Sequence, residues 1–452
     1  MNPSTLRAAP LARAMPTTSR LGRVVFGCLI GGLAVALVLV VAGPAAGGEE
    51  SLITGTVLLA FATSWALLAA LSSRWTEQPQ RWAAIPASVL ALAGAGLIVW
   101  APDGAVLGTL GWLWPPLLLG ALVVAGHHAS RDLHSRTRRW VVYPLLGVYA
   151  LSACGGGYQS VAEWLDDRAS QAPGQLVDVG GYRLHLLCRG SGAPTVVLES
   201  GLGEGAAYWG WISDAIAADT RVCAYDRAGR GWSDPPASSQ DGVAVATALH
   251  VLLDRARVPG PYVLVGHSSG AQYARIFAGQ YPQRVAGMVL LDGQPAEAFE
   301  TLPEFPAFYY VARRVVGLLP SLARLGVGRL IPADDALPRA ARELQRRHRA
   351  SARFYRSLRD ELAELPASLA QAGSCRALGD RPLVVVTATQ DALTGWLPLQ
   401  ARLATLSTNS SHRVVDATHD ALVTDRVTAH TSIEAIRDVV HSVRLTSRLD
   451  HL

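Results

Sequence analysis

Residues 262–271 read Tyr262-Val263-Leu264-Val265-Gly266-His267-Ser268-Ser269-Gly270-Ala271. A short apolar run ends in Gly-x-Ser-x-Gly and passes straight into a helical pattern, Gln272-Tyr273-Ala274-Arg275-Ile276-Phe277-Ala278. Strand, sharp turn, helix is the order in which this motif carries meaning, because the turn then presents the serine at the top of a sheet. Glycines at 266 and 270 let strand and helix approach closely, so the turn can hold Ser268 in a strained, accessible conformation. Pro259-Gly260-Pro261 separates the run from the helical pattern before it.

Around this stretch lies a chain of 452 residues, long enough for two or more domains. Hydrophobic residues make up 50% and charged residues only 17%, too apolar for an ordinary soluble protein. The excess sits in roughly the first 155 residues. The formal net charge of +5 does not point to nucleic acid, since the arginines flank apolar segments or cluster in one helical stretch. No basic stripe is interleaved with aromatics, so a nucleic-acid partner is not expected.

Four apolar runs, residues 24–43, 52–71, 82–101 and 105–126, are free of charged side chains and each about 20 residues long. At 1.5 Å per residue, that length spans a hydrocarbon core of about 30 Å. A fifth run, 140–154, is shorter and is extended by Gly155–Tyr158. Arg7, Arg13, Arg20 and Arg23 precede the first run. Arg74 and Arg81 follow the second, and Arg131, Arg136, Arg138 and Arg139 follow the fourth. The alternate loops carry Glu49, Glu50 and Asp103 instead, which predicts a cytoplasmic N-terminus. With five crossings the C-terminal half lies outside the cell; with four it stays inside. No Asp, Glu, Lys or Arg interrupts the four runs, so nothing marks an ion or proton path.

The fifth run has a second reading. Leu151-Ser152-Ala153-Cys154-Gly155 behind basic residues matches a bacterial lipobox, in which the cysteine is lipidated after cleavage. A spanning helix ending in small residues is the simpler expectation. His127, His128 and His134 sit among arginines with one nearby acid, Asp132, which fits a solvated loop better than a metal site. The cysteines at 28, 154, 188, 223 and 375 lack metal-ligand or Cys-x-x-Cys spacing. No metal and no cofactor are expected. Asn409-Ser410-Ser411 is a glycosylation sequon with no other support.

From residue 175 the pattern changes to short β-branched runs alternating with amphipathic helices, an α/β arrangement. Strands are expected at 176–179, 182–187, 195–199, 221–225, 262–266, 287–291, 382–387 and 412–415. The first two flank Gly180-Gly181, a hairpin signal. Helices are expected at 244–257, 271–281, 399–406 and 427–443. A serine hydroxyl is a poor nucleophile and needs a base and a group that orients the base. Asp391 lies beyond the seventh strand and His419 just past the eighth, giving the chain order Ser268, Asp391, His419. An oxyanion would need two backbone N–H donors. Ser269 supplies one, and Leu202 in the glycine-rich loop Ser200-Gly201-Leu202-Gly203-Glu204-Gly205 the other.

Three stretches in one order carry a resemblance. Val196-Val197-Leu198-Glu199-Ser200-Gly201-Leu202-Gly203 resembles the oxyanion-loop region of esterase- and lipase-like α/β-hydrolases. Tyr225-Asp226-Arg227-Ala228-Gly229-Arg230-Gly231-Trp232-Ser233 resembles their Asp-x-x-Gly-x-Gly-x-Ser turn, and 266–270 their elbow. The resemblance covers about 175–445. It implies a mostly parallel eight-stranded sheet and a helical lid between the sixth and seventh strands. Ser200-Gly201 stands where many relatives have His-Gly, and the His-Gly-Gly-Pro-Gly pattern of proline iminopeptidases is absent. A serine nucleophile argues against dehalogenase and epoxide hydrolase chemistry. In some relatives the acid follows the sixth strand, which makes Asp292 a competitor of Asp391; Asp420, beside His419, is a second and is expected instead to start a helix. The strand order of the fold puts Cys188 beside Cys223, as buried thiols or, in an oxidising compartment, a disulfide.

The expected organisation is a cytoplasmic tail at 1–23 and an all-α transmembrane bundle of about five helices at 24–157. An α/β-hydrolase core follows at 175–293 and 381–447, with the lid at 294–380. The lid's aromatic patch, Phe299, Phe305, Phe308, Tyr309 and Tyr310, is expected mainly to pack the lid's own core. The leading functional reading is a membrane-anchored serine hydrolase acting on a small-molecule or lipid ester. Acyl transfer through the same residues and an idle, sensory hydrolase domain are the alternatives.

Overall fold

A computed structural model of the chain describes residues 18–41, 48–76, 78–132, 142–169 and 171–449. Arg7, Arg13, His134, Arg136, Arg138, Arg139 and Trp140 lie outside them, as does the side chain of Arg20.

The N-terminal half is helical: α1 (Thr18–Val41), α2 (Glu50–Trp75), α3 (Ala84–Trp100), α4 (Gly104–Asp132) and α5 (Tyr143–Ala169). Four segments are long and apolar enough to cross a membrane: Gly22–Val41, Glu50–Trp75, Arg81–Trp100 and Gly104–Arg131. Small residues bring the helices close. A Cβ on Gly55 would stand 2.7 Å from the Gly94 carbonyl oxygen, and one on Gly94 2.8 Å from that of Gly55, so α2 and α3 touch backbone to backbone. The basic end of the bundle is closed by Val25, Trp65, Leu68, Trp82, Ala129 and Val142. The first turns of α5 therefore pack at that end. Its last turns, with Glu163, Asp166, Asp167 and Arg168, lie at the other, where Arg329 pairs with Asp166 at 2.8 Å. Cys154 falls in mid-helix, so cleavage there would cut α5 in two.

The C-terminal half is built on β1 (Gln175–Asp178), β2 (Arg183–Arg189), β3 (Thr195–Glu199), β4 (Val222–Asp226), β5 (Tyr262–His267), β6 (Val285–Leu291), β7 (Leu383–Ala388) and β8 (Ser410–Val415). They form one sheet in the order β1-β2-β4-β3-β5-β6-β7-β8. The β1–β2 and β2–β4 pairs are antiparallel and the rest parallel. The central strands are continuous apolar runs because both faces are covered. Val197, Leu264, Leu290 and Val385 point to one layer. Their neighbours Val196, Val265, Leu291 and Val386 point to the other. The first layer holds α7 (Gly242–Arg255) and α8 (Gly270–Gln280); the second holds α6 (Gly210–Ile216) and α16 (Ala429–Leu445). All eight expected strands are present; α6 was not anticipated.

Between β6 and β7 the lid supplies α9 (Ala298–Thr301), α10 (Phe305–Ala323), α11 (Arg339–Arg349), α12 (Ala352–Ala363) and α13 (Leu365–Gly373). After β7 come α14 (Trp396–Ala404) and, beyond β8, α15 (Ala421–Thr424). The lid is docked on the helical bundle. Glu50, at the start of α2 and 2% exposed, pairs with Arg324 and, at 3.2 Å, with Arg356. Arg359 reaches Glu49 at 2.8 Å. Phe299 packs edge-on against Phe305 and Tyr309, while Phe308 and Tyr310 are exposed, so the aromatic patch is only partly lid core. Asn409 is buried and its side chain accepts from the Leu449 N–H, which removes the sequon from the surface.

The antiparallel register sets Cys188 opposite Cys223, and the two are joined by a disulfide. Thiol titration of the denatured protein should give three free thiols before reduction, those of Cys28, Cys154 and Cys375, and five after it. An unchanged count would exclude the bridge.

Candidate active site

The turn after β5 has the required geometry. Ser268 adopts φ 54°, a left-handed conformation that costs a non-glycine residue of order 1–3 kcal/mol. The strain is held from both sides. The Ser268 N–H donates to the Leu291 carbonyl at 3.1 Å, and its own carbonyl accepts from Ala271 and Gln294. A Cβ on Gly270 would lie 2.1 Å from the Glu199 carbonyl oxygen, and one on Gly266 2.7 Å from the Ala271 backbone. Neither position admits a side chain without moving the strand or helix.

The C-terminal ends of the parallel strands gather the other groups. His419, in the loop after β8, donates from Nδ1 to Asp292 Oδ2 at 2.6 Å. Asp292 follows β6 directly at φ 43° and is 3% exposed. Its other oxygen accepts from Trp396 Nε1 at 2.7 Å and the Ala388 N–H at 3.3 Å. A buried carboxylate with each oxygen bonded meets the condition for keeping a charge out of water. Asp391, expected as the partner of the imidazole, does not bond to it. Its exposed carboxylate accepts the backbone N–H of His419 at 2.9 and 3.1 Å. The reason is position: the loop after β7 swings Asp391 to the outer side of the His419 loop, while Asp292 starts on the adjacent strand beneath the ring.

The two expected oxyanion donors both lie just beyond the C-terminal ends of adjacent strands, β3 and β5. Ser269 follows the turn and Leu202 lies in the loop after β3, and neither N–H has a partner among the described residues. That loop is braced from below. Arg227 donates to the carbonyls of Ser200 and Gly201 at 2.5 and 2.6 Å, and Glu204 Oε2 accepts the Gly201 N–H at 2.5 Å. Arg227 and Arg230 both pair with Glu361 of the lid. Glu361 Oε1 also comes within 3.5 Å of Ser269 Oγ and 3.4 Å of Tyr273 Oη. Sequence reasoning missed Glu361, since nothing in a helical insertion marks which acid turns inward.

It also missed the pairing of His267 with Glu204. His267 is fully buried, with Nδ1 2.8 Å from Glu204 Oε1 and Nε2 3.2 Å from the His419 carbonyl oxygen. Both ring nitrogens face acceptors, which demands an imidazolium. Burial alone would lower the pKa of His267, but the charge and hydrogen bond of Glu204 outweigh it and raise the value to about 9. Burial likewise opposes the charge on Glu204, yet His267 and the Gly201 N–H hold its pKa below the usual range. The pair thus ties the Leu202 loop to the His419 loop. His267, His419 and Asp420 bring ligand-capable atoms within 4.8 Å of one another. Only Nε2 of His419 is left unbonded among the four ring nitrogens, which suits a base better than a metal cage.

The similarity to known proteins falls on this half of the chain. A family described as alpha/beta hydrolase fold matches residues 194–324. An uncharacterized protein of Schizosaccharomyces pombe is 32% identical over 194 residues, which are 36% of this chain and 35% of that one. A Klebsiella pneumoniae protein named for a proposed carbamate hydrolase activity is 35% identical over 104 residues, 23% of this chain and 38% of its own. The chain therefore spans little more than a third of either relative. A solved structure from Acinetobacter baumannii, described as a proposed lipase, has a TM-score of 0.50 at 17% identity and covers 64% of this chain and 97% of that one. That likeness is one of fold.

Because the His267 pKa is raised, its stabilisation is complete below its unfolded value of about 6.5 and is lost as pH climbs through about 9. Histidine-selective NMR should find one imidazole titrating near that value in the native protein. In Glu204→Gln it should titrate well below that value, since burial is then opposed only by Asp420 and the His419 carbonyl. An unmoved titration would show that Glu204 does not hold the charge.

Proposed function

We propose that this α/β-hydrolase-fold domain is a serine hydrolase that cleaves carboxylic esters through an acyl-enzyme on Ser268. The observation that carries the reading is the 2.6 Å contact from His419 Nδ1 to the buried Asp292, and the positive φ at Ser268 supports it. His419 Nε2 takes the Ser268 proton as Oγ attacks the ester carbonyl. The N–H groups of Leu202 and Ser269 receive the oxyanion. Collapse of the tetrahedral species expels the alcohol with that proton, and water, deprotonated by His419, then releases the acid. Asp292 fixes the imidazole tautomer and stabilises its charged form; Asp391 positions the His419 backbone.

The same reading places the domain against a membrane. The four long apolar helices supply the anchor, and α5 makes a fifth crossing, because its first turns pack at the basic end of the bundle and its last turns at the lid. Arginines on the first side and the Cys188–Cys223 disulfide on the second favour a cytoplasmic N-terminus and an extracytoplasmic Ser268. The roof over the elbow is apolar, with Leu202, Phe299, Tyr309 and Val316 packed around Leu362 and Trp396. Such a lining favours an ester with an apolar acyl chain.

Hydrolysis of p-nitrophenyl acyl esters by the full-length protein tests the assignment. Ser268→Ala should abolish turnover, and Asp292→Asn should lower kcat by roughly three to four orders of magnitude. Asp391→Asn should cost no more than about tenfold, because it loses a backbone brace and leaves the tautomer intact. The reverse ranking of the two aspartates would return the acid's role to Asp391.

A further inference from the structure

Helix α10 presents three different faces. Tyr309, Ala312 and Val316 turn inward to the roof over the elbow. A second face is docked on the helical bundle. Arg314 Nε donates to the Val41 carbonyl at 2.7 Å, Leu318 packs against Val40 and Ile53, and Ser321 bonds Thr54 at 2.7 Å. Between these faces runs a third, made of Phe308, Val311, Val315 and Leu322, whose spacing puts them on one stripe. They are 59%, 57%, 52% and 39% exposed.

The docking contacts define how this stripe lies. Val40 and Val41 end α1; Glu50, Ile53 and Thr54 begin α2. From Arg314 in α10 to Arg324 just past its end, every bundle partner named above lies within about one turn of the same end of the bundle. The helix therefore runs along that end and does not enter the bundle. On the helical wheel the stripe lies next to Leu318, which packs on Val40 at the end of α1, and Leu37 and Val38 one turn earlier on α1 are each 61% exposed. Across the docked face from the stripe, the Arg314 guanidinium sits 3.2 Å over the exposed Tyr310 ring. An arginine and a tyrosine with apolar stems and polar ends match the headgroup level of a bilayer.

We infer that α10 is an interfacial helix whose Phe308–Val311–Val315 stripe is seated in the phospholipid leaflet on the hydrolase side. The inference rests on the membrane reading of α1 and α2 but not on the catalytic assignment. Its occupant is lipid acyl chain, because α10 is docked beside the stripe on the end of α1, whose own outward side chains Leu37 and Val38 are apolar and exposed at that end. A lid held in this way is a membrane-bound element of fixed depth.

Nitroxide accessibility in full-length protein reconstituted into phosphatidylcholine vesicles tests it. Cys154 is replaced by Ser, and Cys28 and Cys375 are buried. Labels are placed at Val311→Cys, at Leu37→Cys on α1, and at Asp254→Cys at the far end of the sheet. Position 311 should resemble 37, with collisions by lipid-soluble oxygen several-fold more effective than those by a water-soluble nickel chelate, and 254 should show the opposite. If 311 behaves as 254 while 37 stays lipid-exposed, the inference is overturned and the anchor stands. If 37 also behaves as 254, the anchor falls with it. Protection of 311 from both reagents would overturn the inference in favour of a protein partner.

Discussion

The carbonyl oxygen of Glu199 occupies the space in which a side chain at position 270 would begin, 2.1 Å from an added Cβ. The β3–β5 pairing and the elbow are locked together by this approach, and much else is arranged around it. The Glu199 carboxyl beneath accepts from Tyr225 and lies 3.9 Å from Arg227. Arg227 in turn holds the two carbonyls that precede Leu202. The strain at Ser268, of order 1–3 kcal/mol, is small beside the penalty for opening such a buried network, where breaking a single ion pair costs about 3–5 kcal/mol. The fold therefore keeps the serine in its unfavourable conformation.

Helix α12 of the lid ties the charged network of this site to the bundle. On one side of α12, Ser357 and Glu361 bond Arg230, and Glu361 bonds Arg227. On another, Arg356 and Arg359 pair with Glu50 and Glu49. The two membrane-side pairs differ in weight. Glu49 is 74% exposed at its side chain and its pair with Arg359 is worth little, whereas Glu50 is nearly sealed between two arginines. A lid anchored at Glu50 is tied to the bundle and moves with it.

The sequence carried the strands plainly, because two covered faces make a parallel sheet apolar along its whole length, and the glycines at 266 and 270 marked the elbow. Chain order pointed to His419 as well. It favoured Asp391 over Asp292, and both follow neighbouring strands at the same end of the sheet. The choice is made by which carboxylate lies under the ring, and Trp396 and Ala388 hold Asp292 there. Glu204, Glu361 and Glu50 were invisible as partners for a similar reason. Their cations come from distant stretches of chain, and a lone acid in a loop or helix reads first as solvated. Glu49 and Glu50 were legible only as acidic loop residues that set orientation.

The central claim is that Ser268 is an activated nucleophile. Treatment of the membrane-reconstituted protein with a fluorophosphonate, followed by peptide mass spectrometry, tests it most directly. The account predicts one phosphonyl adduct, on the peptide holding Gly266–Gly270 and localised to Ser268, formed far more slowly when Asp292 is Asn. No adduct, or an adduct on another serine at the native rate, would contradict it.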